Sequence, residues 1–181
     1  MEKSQDSLIA RLSTGDHTAA EELVDIYYKP IYLFMRRLGH NRQTSEDLTQ
    51  ESFLQAWQNI SWLRNSKALN EWLYSIACNV SKQYYRKHKR KIATMEGIDL
   101  SDISEINSNE VDFHEQLDRL RDAILYLPVK SREVIVLHYM QYLTIAEAAE
   151  AVGVGQGTFK SRLNRALKAL KKRIISEGGE L

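Results

Sequence analysis

The chain has 181 residues, 43% of them hydrophobic, enough for one ordinary core or two small ones. A single cysteine, Cys78, excludes an internal disulfide framework and suits a reducing compartment. No signal-peptide pattern opens the sequence, no apolar run approaches the ~20 residues that span a bilayer, and the net charge of +1 names no partner. The expectation is a cytoplasmic protein with no direct membrane insertion.

Apolar spacing predicts four helices in the first ninety or so residues. Residues 5–14 carry Leu8, Ile9 and Leu12 on one face. Asp16 is placed to cap a long second helix with Leu23, Ile26, Tyr27, Ile31, Phe34 and Leu38 as its stripe, and Pro30 as a possible kink point. Thr44 or Ser45 is expected to cap the third, where Phe53, Ala56, Trp57 and Ile60 follow i, i+3, i+4, i+7. After "SWLRNS" comes a helix from Lys67 to Arg90 that buries Leu69, Trp72, Leu73, Ile76, Ala77, Val80 and Tyr84.

The charge distribution then changes sharply. Arg86 to Lys91 reads "RKHKRK", with five Lys or Arg. From Ile92 to Asp118 there are eight acids and no Lys or Arg, in a Ser- and Asn-rich stretch without helical periodicity. This is an acidic linker over 92–112 between domains at 1–91 and 113–181. Its spacing fails the calcium-loop pattern, since no Gly stands at the required place.

Beyond it, 113–127 reads as a helix with Leu117, Leu120, Ile124 and Leu127, ended by Pro128. Ser131 is expected to cap the next, and Thr144 a short one, "IAEAAEAV". The last helix starts at Gln156. With no convincing strand, the fold class is all-α: two small helical domains.

The stretch "VGVGQGTFKSRLNRALKALKKR" invites two readings. A phosphate-cradling glycine loop needs a strand before it, and the Ala-rich segment that precedes it here is helical; the P-loop spacing is also absent. A helix-turn-helix explains more residues. Ala148 and Ala149 allow close approach, Gly153 suits a left-handed turn, Val154 plugs the gap and Gly155 caps the second helix. Phe159, Leu163, Ala166, Leu167 and Leu170 then face inward. Gln156, Lys160, Ser161, Asn164 and Lys168, flanked by Arg162 and Arg165, face outward as a surface for the major groove and its phosphates.

The 67–90 helix carries a second face of Ser75, Cys78, Asn79, Lys82, Tyr85, Arg86 and Lys89. Aromatic, amide and basic groups together suit single-stranded nucleic acid. Periodicity alone supports a solvated face equally well.

The blocks "AAEELVDIYYKPIYLF", "SEDLTQESFLQAW", "EWLYSIACNVSKQYYRKHKRK", "LPVKSREVIVLHYM", "LTIAEAAEAVGV" and "GTFKSRLNRALKAL" occur in this order around an acidic linker. In this the chain resembles a bacterial RNA polymerase sigma factor of the extracytoplasmic-function (ECF) group, over nearly its whole length. The resemblance implies that core polymerase is a partner, through its β′ clamp helices and β subunit, and that Asp47, Gln50 and Glu51 grip the clamp helices. It implies that a loop at 61–67 captures a flipped base of the downstream (minus-10) promoter element, with Trp62, Arg64 and Asn65 to be tested and Trp62 otherwise read as core. Asn79 matches the family position on that element, and Lys82, Tyr85 and Arg86 extend it. Lys160, Ser161 and Asn164 match positions that read the upstream (minus-35) element. The linker would run through polymerase channels, and an anti-sigma factor would control the protein.

Two departures from the family pattern stand out. Gly155 replaces a capping Ser, and Phe159 replaces a smaller aliphatic residue and calls for a wider interhelical groove. The alternative function is a stand-alone helix-turn-helix regulator, against which the sigma-like N-terminal half argues. Five scattered histidines and one cysteine give no metal-ligand spacing, so no catalytic residue, metal or cofactor is expected.

Overall fold

The computed structural model describes residues 2–63, 65–92 and 120–176. All regular structure among them is helical, as the apolar spacing requires.

Helix α1 (Glu2–Ser13) buries Leu8 and Leu12. A tight turn leads to α2 (His17–Arg37), whose first turn is capped by Asp16 accepting from the Thr18 N–H. Arg11 locks this corner: it donates to Asp16 and to Glu22, both at 2.8 Å. Those bonds, Arg11 first and Thr18 second, hold the Asp16 carboxyl well below the usual carboxylate range. Pro30 lies inside α2 without ending it.

Helix α3 (Arg42–Asn59) is capped by Asn41, one turn earlier than the expected Thr44 or Ser45. The physical reason is tertiary. Ser45 is fully buried and its hydroxyl donates to the His40 carbonyl, while Thr49 and Ser52 bond back to the carbonyls of Ser45 and Leu48. Hydroxyls satisfied by i−4 carbonyls can sit in a core, so α3 packs through a seam that hydropathy reads as polar.

Two single 3-10 turns (Ile60–Trp62 and Ser66–Ala68) lead to α4 (Leu69–Ile92), which starts two residues after the expected Lys67. It buries Leu69, Leu73, Ile76, Ala77 and Val80 against α2 and α3, while Trp72 and Tyr84 are half-buried. The acidic linker and the start of the expected 113–127 helix lie outside the described residues.

Helix α5 is described over 120–125 and ends in a turn before Pro128. Pro128, not Ser131, stands at the N-cap of α6 (Val129–Ile135), where a missing N–H costs nothing. The helix loosens into a π turn over Val136–Met140. Thr144 then caps α7 (Ile145–Val152) in a full capping box with Glu147.

Gly153 ends α7 at φ +72°, its N–H bonded to the carbonyls of Ala149 and Glu150. Helix α8 (Gln156–Ser176) follows at once, its first backbone bond accepted by Gly155. Phe159 is fully enclosed, with Leu163, Ala166 and Leu170 also buried; Ala148 and Ala149 are the small buried residues of α7. The helix-turn-helix is therefore built as the spacing predicts.

The two halves are packed together. Helix α7 lies along α4, and Arg37, Tyr74, Lys82 and Arg132 each bond across the junction.

Candidate nucleic-acid and polymerase interfaces

The surface of α8 is the clearest. Gln156, Lys160, Ser161, Asn164, Arg165 and Lys168 are exposed, and Arg162 is half-buried at the edge of the row. The capping box and the left-handed Gly153 fix how α8 leaves α7, so this row projects from a defined turn. Gly155 and Gly157 have nothing within 4 Å of where a β-carbon would stand. Two of the residues at the N-terminal end of α8 thus carry no side chain, and Lys160 is the first cation beyond them, a combination that suits phosphate.

A second surface lies on α3. Asp47, Gln50 and Glu51 are exposed, on the side away from buried Leu48, Ser52 and Ala56. Glu51 accepts a hydrogen bond from Gln55 at 2.7 Å, which orients its carboxylate on the helix surface.

The third surface differs from its expectation. On α4, Asn79 and Arg86 are exposed, but Cys78 is buried and its thiol is pushed up by that burial. Tyr85 is also drawn inward: its hydroxyl donates to the Leu38 carbonyl at 2.8 Å, and its ring lies 4.7 Å from His40. Lys82 turns toward the other domain, 3.3 Å from the Val152 carbonyl and 3.5 Å from Glu133. Helical spacing lines these residues up, yet Cys78 belongs to the core, Tyr85 is half-buried against Leu38, and Lys82 meets α6 and α7, which periodicity could not show. The side chain of Lys89 and the whole of Arg64 lie outside the described residues.

The turn before α4 holds another correction. Trp62 is 77% exposed rather than core, because the 3-10 turn directs it outward while Ile60 takes the buried position. Asn65, also exposed, accepts from the Lys67 N–H and shapes the entry to α4. An indole exposed beside such a turn is a stacking surface for an unpaired base.

Charged residues that spacing did not single out join the halves. Arg132 is buried and donates to the carbonyls of Leu125, Leu127 and, across the junction, Leu38. Glu133 is buried beside it; burial pushes its carboxyl up, and Lys82 pulls it back. Adjacent charges inside the apolar run "SREVIVL" were the available signal. Among the described residues no cluster of side chains could hold a metal ion, and no helix is long and apolar enough to cross a membrane.

Comparison with known proteins gives the family. The family description Sigma-70 region 2 matches residues 23–91, and Sigma-70, region 4 matches residues 117–170. The chain is 33% identical over 176 residues to the ECF RNA polymerase sigma factor SigW of Bacillus subtilis (strain 168), covering 92% of this chain and 94% of that protein. The chain belongs to the ECF RNA polymerase sigma factors. It is 29% identical to SigM of the same organism, over 87% of this chain and 98% of that one.

Solved structures agree at the level of fold. CnrH, in complex with the cytosolic domain of CnrY, aligns with TM-score 0.69 at 22% identity, over 93% of this chain and 96% of that one. The sigma factor RpoE of Bartonella quintana, in complex with the anti-sigma factor NepR, aligns with TM-score 0.66 at 23% identity, over 85% and 95%. As a sigma factor the chain is a transcription initiation factor: it serves core RNA polymerase in promoter recognition. The second matched region contains the helix-turn-helix, and the first contains both the α3 and the α4 surfaces.

Proposed function

We propose a division of labour among the surfaces of this sigma factor. Asp47, Gln50 and Glu51 on α3 bind the β′ clamp helices of core polymerase. Gln156, Lys160, Ser161, Arg162, Asn164, Arg165 and Lys168 on α8 read the upstream promoter element and its phosphates. Asn79 and Arg86, extended by Lys82 and Tyr85, contact the downstream element, and Trp62, Arg64 and Asn65 receive its flipped base.

The observation that carries this reading is the exposed polar and cationic row on α8, set on a helix-turn-helix apart from the exposed carboxylates of α3. A cation row suits DNA and a carboxylate pair suits a protein surface, so the two jobs are chemically separated. The linker over 92–112 ties the domains and, being acidic, suits polymerase channels that otherwise hold nucleic acid. The protein works in the cytoplasm, where polymerase is, and has no catalytic activity of its own.

An anti-sigma factor is the proposed regulator. Support comes from the fold neighbours, two of which were solved as complexes with such partners or a cytosolic domain. Capture from cell extract with the tagged full chain tests both partners: recovery of core polymerase and a small inhibitory protein is expected. Recovery of neither contradicts the reading.

A further inference from the structure

A cleft of about 470 Å³ opens between α2, the start of α4 and the end of the π turn. Ile26, Pro30, Leu33 and Arg37 recur at i, i+4, i+7 and i+11, so they share one stripe of α2, and that stripe lines the cleft. Ile26 is 52% exposed there, although apolar spacing alone assigns it to the core. Met140, Gln141 and Tyr142 close the cleft from the other half of the chain. Tyr142 is the most exposed large side chain of the wall, on a backbone at φ +57° that a residue of its bulk rarely adopts. The volume and the mainly apolar wall are those of a site for a small organic molecule.

The polar groups of the wall are out of balance. Among the described residues the lining holds two cations, Lys29 and Arg37, and no acid. Lys29 is exposed; Arg37 is half-buried, with Nη1 donating to the Met140 carbonyl at 3.1 Å. Burial pushes the Arg37 guanidinium below its ordinary value, the phenols of Tyr74 and Tyr142 pull it back, and the cation Arg121 opposes it further. No carboxylate is among these groups, so a guanidinium withdrawn from water stands without a counter-charge. Gln141 adds to the shortage: Oε1 accepts from Tyr74 Oη at 2.6 Å, while Nε2 is buried without an acceptor. The wall is rich in donors and short of acceptors.

We propose that this cleft is a binding site for a small organic carboxylate with an aromatic or branched apolar body. The carboxylate pairs with Arg37, whose planar fork matches its two oxygens, and Lys29 at the mouth favours entry of an anion. The body lies on the stripe of Ile26, Pro30 and Leu33, with the Tyr142 ring beside it. One half-buried cation balances a single negative charge, and an apolar stripe asks for a hydrocarbon body rather than a sugar or a polyphosphate. The walls come from both halves of the chain, so a bound carboxylate ties them together and stabilises the folded protein. None of the surfaces assigned to promoter DNA or polymerase includes these residues, so the site stands apart from that division of labour.

The test titrates the full chain with naphthoate, phenylbutyrate and isocaproate, each beside its primary amide, which keeps the body and removes the charge. Ligand-observed NMR reads affinity, and thermal melting reads folding and stabilisation. At least one carboxylate should bind saturably, raise the melting temperature and bind several-fold more tightly than its amide. Arg37→Met removes the charge and should bring that carboxylate down to the level of its amide. Ile26→Asp places an acid on an exposed part of the wall, touches none of the bonds between the two halves, and should weaken the carboxylate several-fold while melting like the wild type. If Arg37→Met melts early, Ile26→Asp decides the matter. Saturable binding by none of the three acids, equal affinity for acid and amide, or binding undiminished in Ile26→Asp would overturn the proposal.

Discussion

Lys82 and Glu133 stand 3.5 Å apart across the junction of the two domains, the carboxylate buried and the ammonium about a third exposed. One charge lies on the helix that faces promoter DNA by assignment; the other lies in the core of the helix-turn-helix half. Arg162 on α8 also acts on Glu133, so the pair links the junction to the base of the reading helix.

Removing Lys82 leaves a buried carboxylate with weaker compensation. Lys82→Ala should cost roughly 1–3 kcal/mol, below the full value for a buried pair because Lys82 is partly solvated. Glu133→Gln keeps the shape and removes the charge, so the double variant should lose less than the sum of the singles. Urea unfolding of all four proteins checks this; strict additivity would show that the pair is not coupled.

His40 predicts the acid behaviour. It is buried, its Nε2 lies 2.8 Å from the Ser81 hydroxyl, and burial first, then Arg132, pushes its pKa down to about 3. In the unfolded chain an ordinary histidine takes up a proton near ~6.5. The unfolded state therefore binds more protons between those values, and stability falls as pH drops from about 6.5 toward 3. His40→Gln should flatten that slope in urea midpoints measured between pH 7 and 4, whatever it does to stability at pH 7. An unchanged slope counts against His40 as the cause.

Local helix physics gives two opposite shifts in the helix-turn-helix. Thr144→Ala deletes the capping box and should cost about 1 kcal/mol. Gly157→Ala sits in the open first turn of α8 and should add up to about 0.5 kcal/mol, less than a mid-helix replacement. Thermal melting of the full chain reads both signs. Should Gly157→Ala stabilise the protein yet weaken DNA binding, close approach of the backbone to phosphate would explain why glycine stands there.

The surfaces on α8 and α3 should separate in function. Lys160→Ala or Asn164→Ala should reduce upstream-element selectivity by the ~1–3 kcal/mol of a good base contact while leaving polymerase association intact. Asp47→Ala with Glu51→Ala should weaken polymerase association first. Equal damage to the same step by both sets would refute the division of labour.

Much of this architecture could be read before any coordinates. Asp16, Thr144 and Gly153 act through local backbone chemistry, and each does what its residue type and position suggest. The α8 row was visible because its inward partners, Phe159, Leu163, Ala166 and Leu170, keep strict helical spacing. What escaped depends on distant contacts. Ser45 is buried because His40 supplies a carbonyl, so Asn41 takes over the cap. Trp62 is hydrophobic yet exposed, because a 3-10 turn and not an apolar stripe sets its direction. Tyr85 and Lys82 have long amphipathic side chains that suit either water or a neighbouring domain, and no periodicity distinguishes the two.

In vitro transcription with purified core RNA polymerase and a library of promoters tests the central claim most directly. With the chain added, RNA should start from a defined subset of promoters that core enzyme alone ignores, and Asp47→Ala with Glu51→Ala should abolish that start. Failure to associate with core polymerase and to initiate from any promoter would contradict the account.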